Sequence, residues 1–322
     1  MVLNLTQVIG RRILQLIPVL VGVTLINFLL LNLLPGGTAV AILGASATSQ
    51  EVTVLTKELG LNRPVMVRYW DWLWAAVHGN LGHSLLTQQS VASLLGQRVP
   101  VTAELLLLAF LIAFVLSIPL AVLSAWRPRG VVDRISNLLA MVGLSTPNFI
   151  VALVLVLVLA IHLRVLPSTG FQPLSAGLWP NVQTLIMPAV AMSLVLFATY
   201  LQVLRGDMVD QLAKEDYVVA VRARGVSTWR LLVQHVLRNS LFGIITVVGV
   251  NIGTLIGGTV IVESMFSIPG VGQLLVSSIF SRDAPVVEGV VVMMAIVVVM
   301  VNLVTDLLYA VLDPRVRYGA TG

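Results

Sequence analysis

Apolar residues fall into six long runs along the chain: Ile13 to Leu34, Val101 to Ala125, a run after Arg134 that reaches Leu163, Thr184 to Leu204, Leu241 to Val262, and Val286 to Leu312. Several exceed the roughly 18 apolar residues that mark a membrane-crossing helix. The pattern predicts an all-α polytopic membrane protein with six transmembrane helices. Residues 1–34 hold the N-terminus and first span, 35–98 form a hydrophilic region, and 99–322 form a core of five spans interrupted by a polar loop over 206–239. Ala45-Ser46-Ala47 looks like a signal-peptide cleavage site. The apolar run before it is longer than the roughly 7 to 15 residues such peptides use, so it is taken as a retained span.

Shorter elements follow from local punctuation. Glu51 to Leu59 is predicted as a short helix stopped at Gly60, and Val65 to Val77 as an aromatic helix carrying Tyr69, Trp70, Trp72 and Trp74, suited to a membrane interface. The third span carries Ser145-Thr146-Pro147-Asn148 in its middle. Proline removes a backbone donor there, and the freed carbonyl must find a neighbour or water. Thr146, Pro147 and Asn148 therefore line either a pathway or an ordinary packed kink. The fifth span has Gly249, Gly253 and Gly257 on one face for close helix approach, with Asn251 off that face, placed to meet substrate or water. Residues 263–285, including Phe266, Pro269, Gly270 and Gly272, describe a bent loop.

Lys214 to Asn239 is a polar island between two spans. Glu215 and Asp216 begin a predicted helix that ends with Arg222 and Arg224, charges that oppose the helix dipole, and Gly225 follows as a stop. Ser227 is the expected N-cap of a second helix, with Trp229, Leu232, Val233 and Val236 on one face and Arg230, Gln234 and Arg238 on the other. A basic loop that orients the chain and touches anionic lipid would carry the same charges. Matched ends and an amphipathic second helix point further, to a folded element with a docking partner.

Composition narrows the chemistry. Hydrophobic residues make up 58% of the 322 and charged residues 10%, which leaves no room for a soluble catalytic domain apart from the hydrophilic stretch over 35–98. With the N-terminus and C-terminus inside, thirteen Lys and Arg fall on the cytoplasmic side and six outside, of 19 in all. That asymmetry satisfies the positive-inside rule and makes 35–98 extracytoplasmic. The +5 net charge sits at membrane borders, so nucleic acid is not an expected partner. There is no cysteine for a disulfide or thiolate site. His78 and His83 lack a third ligand at metal spacing, and His162 and His235 complete no HExxH pair. The two lysines, Lys57 and Lys214, follow no phosphate-loop pattern, so this chain does not hydrolyse ATP itself. Asp306 is the one clearly intramembrane acid, either a hydrogen-bonded partner or an ion site.

The island resembles the cytoplasmic coupling loop of ABC importer permeases of the dipeptide, oligopeptide and nickel group. It has Asp216-Tyr217, Arg222-Ala223-Arg224-Gly225 and His235-Val236-Leu237-Arg238-Asn239, with Val221 where alanine is usual and Val219 in the place of the motif's glutamate. Further matches run in order along the chain. They include Leu59-Gly60-Leu61, Gly79-Asn80-Leu81-Gly82, Arg98 with Pro100, Ser145-Thr146-Pro147, Pro269-Gly270 with Gly272, and Leu312-Asp313-Pro314-Arg315. Together they look like the B-type subunit; Leu33-Leu34-Pro35-Gly36-Gly37-Thr38 departs from the usual LLPGDP.

The resemblance implies a type I ABC importer permease fold in a bacterial inner membrane, paired with a second, C-type permease. It implies one or two ATPase subunits that bind ATP and magnesium, so that this chain needs no cofactor, and an extracytoplasmic substrate-binding protein. Glu215, Asp216, Tyr217, Ala220, Arg222, Ala223, Arg224, Gly225, His235 and Arg238 are the expected ATPase-coupling residues. Phe266, Pro269, Gly270 and Gly272 are expected to meet the binding protein. The implied cargo is a di- or oligopeptide; a nickel chelate or an opine is the alternative, and an ion-coupled carrier working through Asp306 a further one.

Overall fold

The computed structural model describes residues 5–32, 43, 47–58 and 60–312, and the backbone alone at 5–13, 15–16, 32, 58, 245–246, 250, 306 and 308–312. The side chain of Asp306, the LLPGGT stretch, most of the Ala45-Ser46-Ala47 stretch and the C-terminal Asp313 to Arg317 lie outside what is described. The helices are α1 (Leu5–Asn32), α2 (Ser49–Glu58), α3 (Val65–Val77), α4 (Val91–Trp126), α5 (Val131–Ser145), α6 (Asn148–Leu155), α7 (Leu178–Lys214), α8 (Asp216–Ala223), α9 (Thr228–Leu231), α10 (Leu237–Phe266), α11 (Val271–Phe280) and α12 (Ala284–Leu312). Two π-helical segments, Val156–His162 and Leu232–Val236, extend α6 and join α9 to α10.

Among the described residues, four stretches are long and apolar enough to cross a membrane: Val91–Trp126, Leu178–Lys214, Thr228–Gly249 and Ala284–Thr305. Two bent pairs raise the number to at most six if each is one span; α1, apolar over Ile17–Leu31, is shorter and is not among them. One of the pairs is the expected third span, and its break is sharper than a kink: α5 and α6 meet at 104°. Pro147 stands just before α6 and cannot continue α5, while Thr146 adopts an extended backbone. The expected loop over 263–285 is corrected as well. Helix α10 continues to Phe266 and α11 occupies Val271–Phe280, so only short turns are irregular. The first of them is made by Ser267 in the left-handed conformation, φ 54°.

The chain forms two compact units. One comprises 1–102 and 269–303. Its core joins Val91, Leu94 and Leu95 of α4 to Val271 of α11 and to Val286 and Val290 of α12. Asp283, buried, accepts hydrogen bonds from Ser84 Oγ at 2.5 Å and from the Leu85 amide at 3.1 Å, which holds the loop before α4. The aromatic helix α3 packs on α1: the buried Tyr69 meets Phe28 edge-on at 5.6 Å, and its hydroxyl lies 2.9 Å from Thr24 Oγ1. Trp70 and Trp74 face outward, as ring side chains at an interface do. Helix α2 opens with a reciprocal cap, Thr48 amide to Glu51 and Glu51 amide to Thr48 Oγ1.

The other unit comprises 103–268 and 304–322 and is built around α7, which packs against α5, α6 and α10. Leu185, Met192, Leu196, Leu201, Leu204 and Met208 of α7 are buried. Of the three glycines expected to carry close helix contacts, Gly249 does so: a Cβ there would overlap Thr305 of α12. Gly257 faces open space, so the small-residue face is shorter than its spacing implies.

Candidate functional site

The polar island folds as α8, a turn, and α9. Asp216 lies in the first turn of α8 and Arg222 in its last, the charge order that opposes the helix dipole. Gly225 adopts φ +78°, and its amide donates to the Arg222 carbonyl at 2.9 Å. That left-handed position is where glycine costs least. Ser227 stands at the N-cap position, but its side chain makes no cap bond; its carbonyl accepts from Leu231 at 2.9 Å instead.

The expected amphipathic face of the second helix is corrected too. Leu231, Leu232 and Val236 are buried, whereas Trp229 and Val233 are exposed. Leu232 and Val236 are thus on the buried face as expected, Leu231 joins them, and the segment over Leu232–Val236 is wound as a π-helix. The second helix is also not separate: through the π segment it runs straight into α10.

Residues unremarkable in the sequence hold this element in place. Val218 is buried and anchors α8. The Tyr217 hydroxyl donates to Gln211 Oε1 on α7 at 2.5 Å, and Gln211 Nε2 donates to Ser240 Oγ on α10 at 3.1 Å and to Asp207 at 2.7 Å. Gln211 therefore joins three helices at one point. Burial pushes the Tyr217 phenol above its usual pKa; the Asn239 hydrogen bond opposes this, and the Glu215 and Asp207 carboxylates add to it. The phenol stays a protonated donor at neutral pH. Glu215, Asp216, Ala220, Arg222, Ala223, Arg224 and Gly225 are exposed, with Val219 exposed among them. His235 and Arg238 lie apart from that row and line a depression of about 310 Å³ with Tyr217, Gln234, Asn239 and Phe242.

A second tie lies at the start of α5. Asp133 is buried and receives the Arg205 guanidinium of α7, through both Nε and Nη2, the latter at 2.9 Å. It also accepts the Arg129 amide at 2.8 Å and Asn137 Nδ2 at 3.1 Å. In the sequence Asp133 and Arg205 look like two more border charges. Nothing short of the helix pairing reveals that they meet.

The expected pathway residues are only partly together. Thr146 Oγ1 bonds back to the Val142 carbonyl at 2.7 Å, and Pro147 is exposed. Asn148 Oδ1 and Asn251 Nδ2 are both buried without a partner of regular geometry, as is the Tyr200 hydroxyl beside Asn251. Asn148 reaches α10 at Gly258, where a Cβ would sit 3.4 Å from its Nδ2. Of the expected binding-protein contacts, Phe266, Gly270 and Gly272 are buried and Pro269 is half-buried, because they form the turn and its packing. The exposed apolar surface of α11 is its C-terminal end, where Phe280 is 85% exposed beside Ile279.

The family described as "Binding-protein-dependent transport system inner membrane component" matches residues 117–318, and its N-terminal companion matches 5–106. A probable peptide ABC transporter permease protein of Sinorhizobium fredii is 37% identical over 308 residues, 96% of this chain and 98% of its own length. The oligopeptide transport system permease protein AppB of Bacillus subtilis is 36% identical over 311 residues, with 96% and 98% covered. The dipeptide transport system permease protein DppB of Alkalihalophilus pseudofirmus is 33% identical over 328 residues, again covering 96% and 98%.

Proposed function

The chain belongs to the binding-protein-dependent transport system inner membrane components, and from that premise we propose that it conducts di- or oligopeptides across the membrane under the drive of a separate ATPase. It is a multi-pass inner-membrane permease subunit of an ABC importer. Its working assembly holds a second, related permease, one or two ATPase subunits that bind ATP and magnesium, and an extracytoplasmic binding protein that delivers cargo. The chain itself carries no cofactor. Both termini and the 206–239 loop lie in the cytoplasm. Peptide is favoured over a nickel chelate or an opine because the relatives named above are peptide, oligopeptide and dipeptide permeases.

The observation that carries the mechanism is the Tyr217–Gln211–Ser240 junction. Helix α8 presents Val219 and Arg222 outward for the ATPase, with Arg224 exposed just past its end. When the ATPase closes, α8 moves as a rigid lever. Gln211 and the buried Val218 pass the displacement to α7 and α10, and Asp133–Arg205 passes it on to α5. Rigid-body motion of packed helices then switches access to the pathway. On the extracytoplasmic side, Phe280 and Ile279 at the end of α11 are the contact for the binding protein, while Phe266, Pro269, Gly270 and Gly272 belong to the turn that precedes this helix and its flanks.

The test is uptake by the assembled transporter carrying Gln211→Leu. Losing bonds worth about 1 kcal/mol each lowers uptake roughly tenfold or more while basal ATP hydrolysis continues. Uptake at the unmodified rate would refute the lever. The permease reconstituted without an ATPase under an ion gradient should move nothing.

A further inference from the structure

Helix α4 ends at Trp126, and only the four residues 127–130 separate it from α5. The connecting Arg127–Gly130 turn is closed by the Gly130 amide on the Arg127 carbonyl at 3.0 Å, and the Arg129 amide is held by Asp133 at 2.8 Å. Both flanking helices leave apolar side chains bare: Leu107, Leu111 and Val115 on α4, and Val131, Ile135 and Leu138 on α5. A turn this short cannot leave the level at which its helices end. Arg127 and Arg129 therefore sit directly beside the apolar surface that begins with the exposed Val131.

Trp126 meets Trp229 of α9 edge-on at 5.5 Å, and the Arg127 guanidinium lies 4.9 Å over the Trp126 ring. Both indoles remain about half exposed, at 42% and 46%. Arg230 follows on α9 and is exposed. Among the described residues no carboxylate pairs with the side chains of Arg127, Arg129 or Arg230, since the nearby Asp133 is taken by Arg205. Two interfacial indoles framed by unpaired guanidiniums match a phosphate joined to an apolar body.

We propose that Trp126, Arg127, Arg129, Trp229 and Arg230 form a binding site for an anionic phospholipid headgroup. Its chemistry is a phosphodiester between the guanidiniums with the acyl chains along the bare faces of α4 and α5. The leaflet is the cytoplasmic one, an assignment that rests on the orientation proposed above. A headgroup held there clamps the end of α4 to α9, so lipid charge bears on the lever itself.

The experiment uses the complete transporter, both permeases with the ATPase, in nanodiscs of phosphatidylcholine alone or mixed with phosphatidylglycerol. Native mass spectrometry reads the phosphatidylglycerol retained, and the ATPase is scored in the same spectrum. Each interfacial arginine is worth a factor of about five, so Arg127→Gln and Arg230→Gln each lower apparent affinity about fivefold, and together roughly 25-fold. Lysine at both positions recovers most of the binding, and Arg164→Gln, an arginine assigned to the other side of the membrane, changes nothing. Unchanged retention in the double glutamine variant overturns the proposal. So does loss of the ATPase with retention intact, which would make the surface a protein dock, and so does failure of the lysine variant to recover, which would make the arginines structural. Failure of the transport reading itself shows separately, as wild-type ATP hydrolysis that binding protein and peptide do not stimulate in either lipid.

Discussion

Gln211 satisfies an acceptor and a donor group with partners on different helices, and that is why it is sensitive. Tyr217→Phe removes the hydroxyl's bonds with Gln211 and Asn239 and keeps the ring, so α8 should loosen by about 1 to 2 kcal/mol, read as faster amide exchange over 216–223. Alkali should act on the same contact. A phenol whose pKa is raised by folding contributes stability that is full below its unfolded value near 10 and is lost as pH rises through the folded value. Protection of α8 should therefore be level from neutral pH to about 9 and fall above about 10, and Tyr217→Phe should abolish that fall. Asp133→Ala leaves the Arg205 guanidinium without its partner; a cost of about 3 to 5 kcal/mol is expected, seen as a lower unfolding temperature and yield.

The lever proposed for α8 depends on Gly225, which ends the helix in a conformation that a side chain disfavours. Gly225→Pro cannot reach φ +78°, so the variant should insert normally and yet fail to import. Arg222→Glu reverses the charge at the end of α8 and should fail likewise. In α10, Gly249→Val must displace Thr305 and should cost about 1 to 3 kcal/mol, whereas Gly257→Ala meets open space and should be tolerated; thermal unfolding of the two variants separates them. The turn at Gly225 was legible from composition because a glycine after a charged helix end has one common use. The π segment was not, since an i+5 turn leaves no composition signature; the helical period puts Leu232 and Val236 on the buried face but misses Leu231, and Trp229 and Val233 are exposed.

For the molecule as a whole, orientation is the property that charge governs. The chain has no cysteine, so single replacements report their side of the membrane cleanly. Lys214→Cys should react with an impermeant thiol reagent only from the cytoplasmic side, and Ser175→Cys only from the other; the reverse pattern would invert the topology. The sequence alone determined the class of protein, the apolar runs and the order of motifs, because burial in lipid and a glycine stop are written in local composition. Only the tertiary structure decided that α5 and α6 break at 104°, that 271–280 is helix, and that Gln211 and Asp133 are the ties. Those depend on which distant side chains meet, a fact of packing between helices that no local pattern of residues encodes.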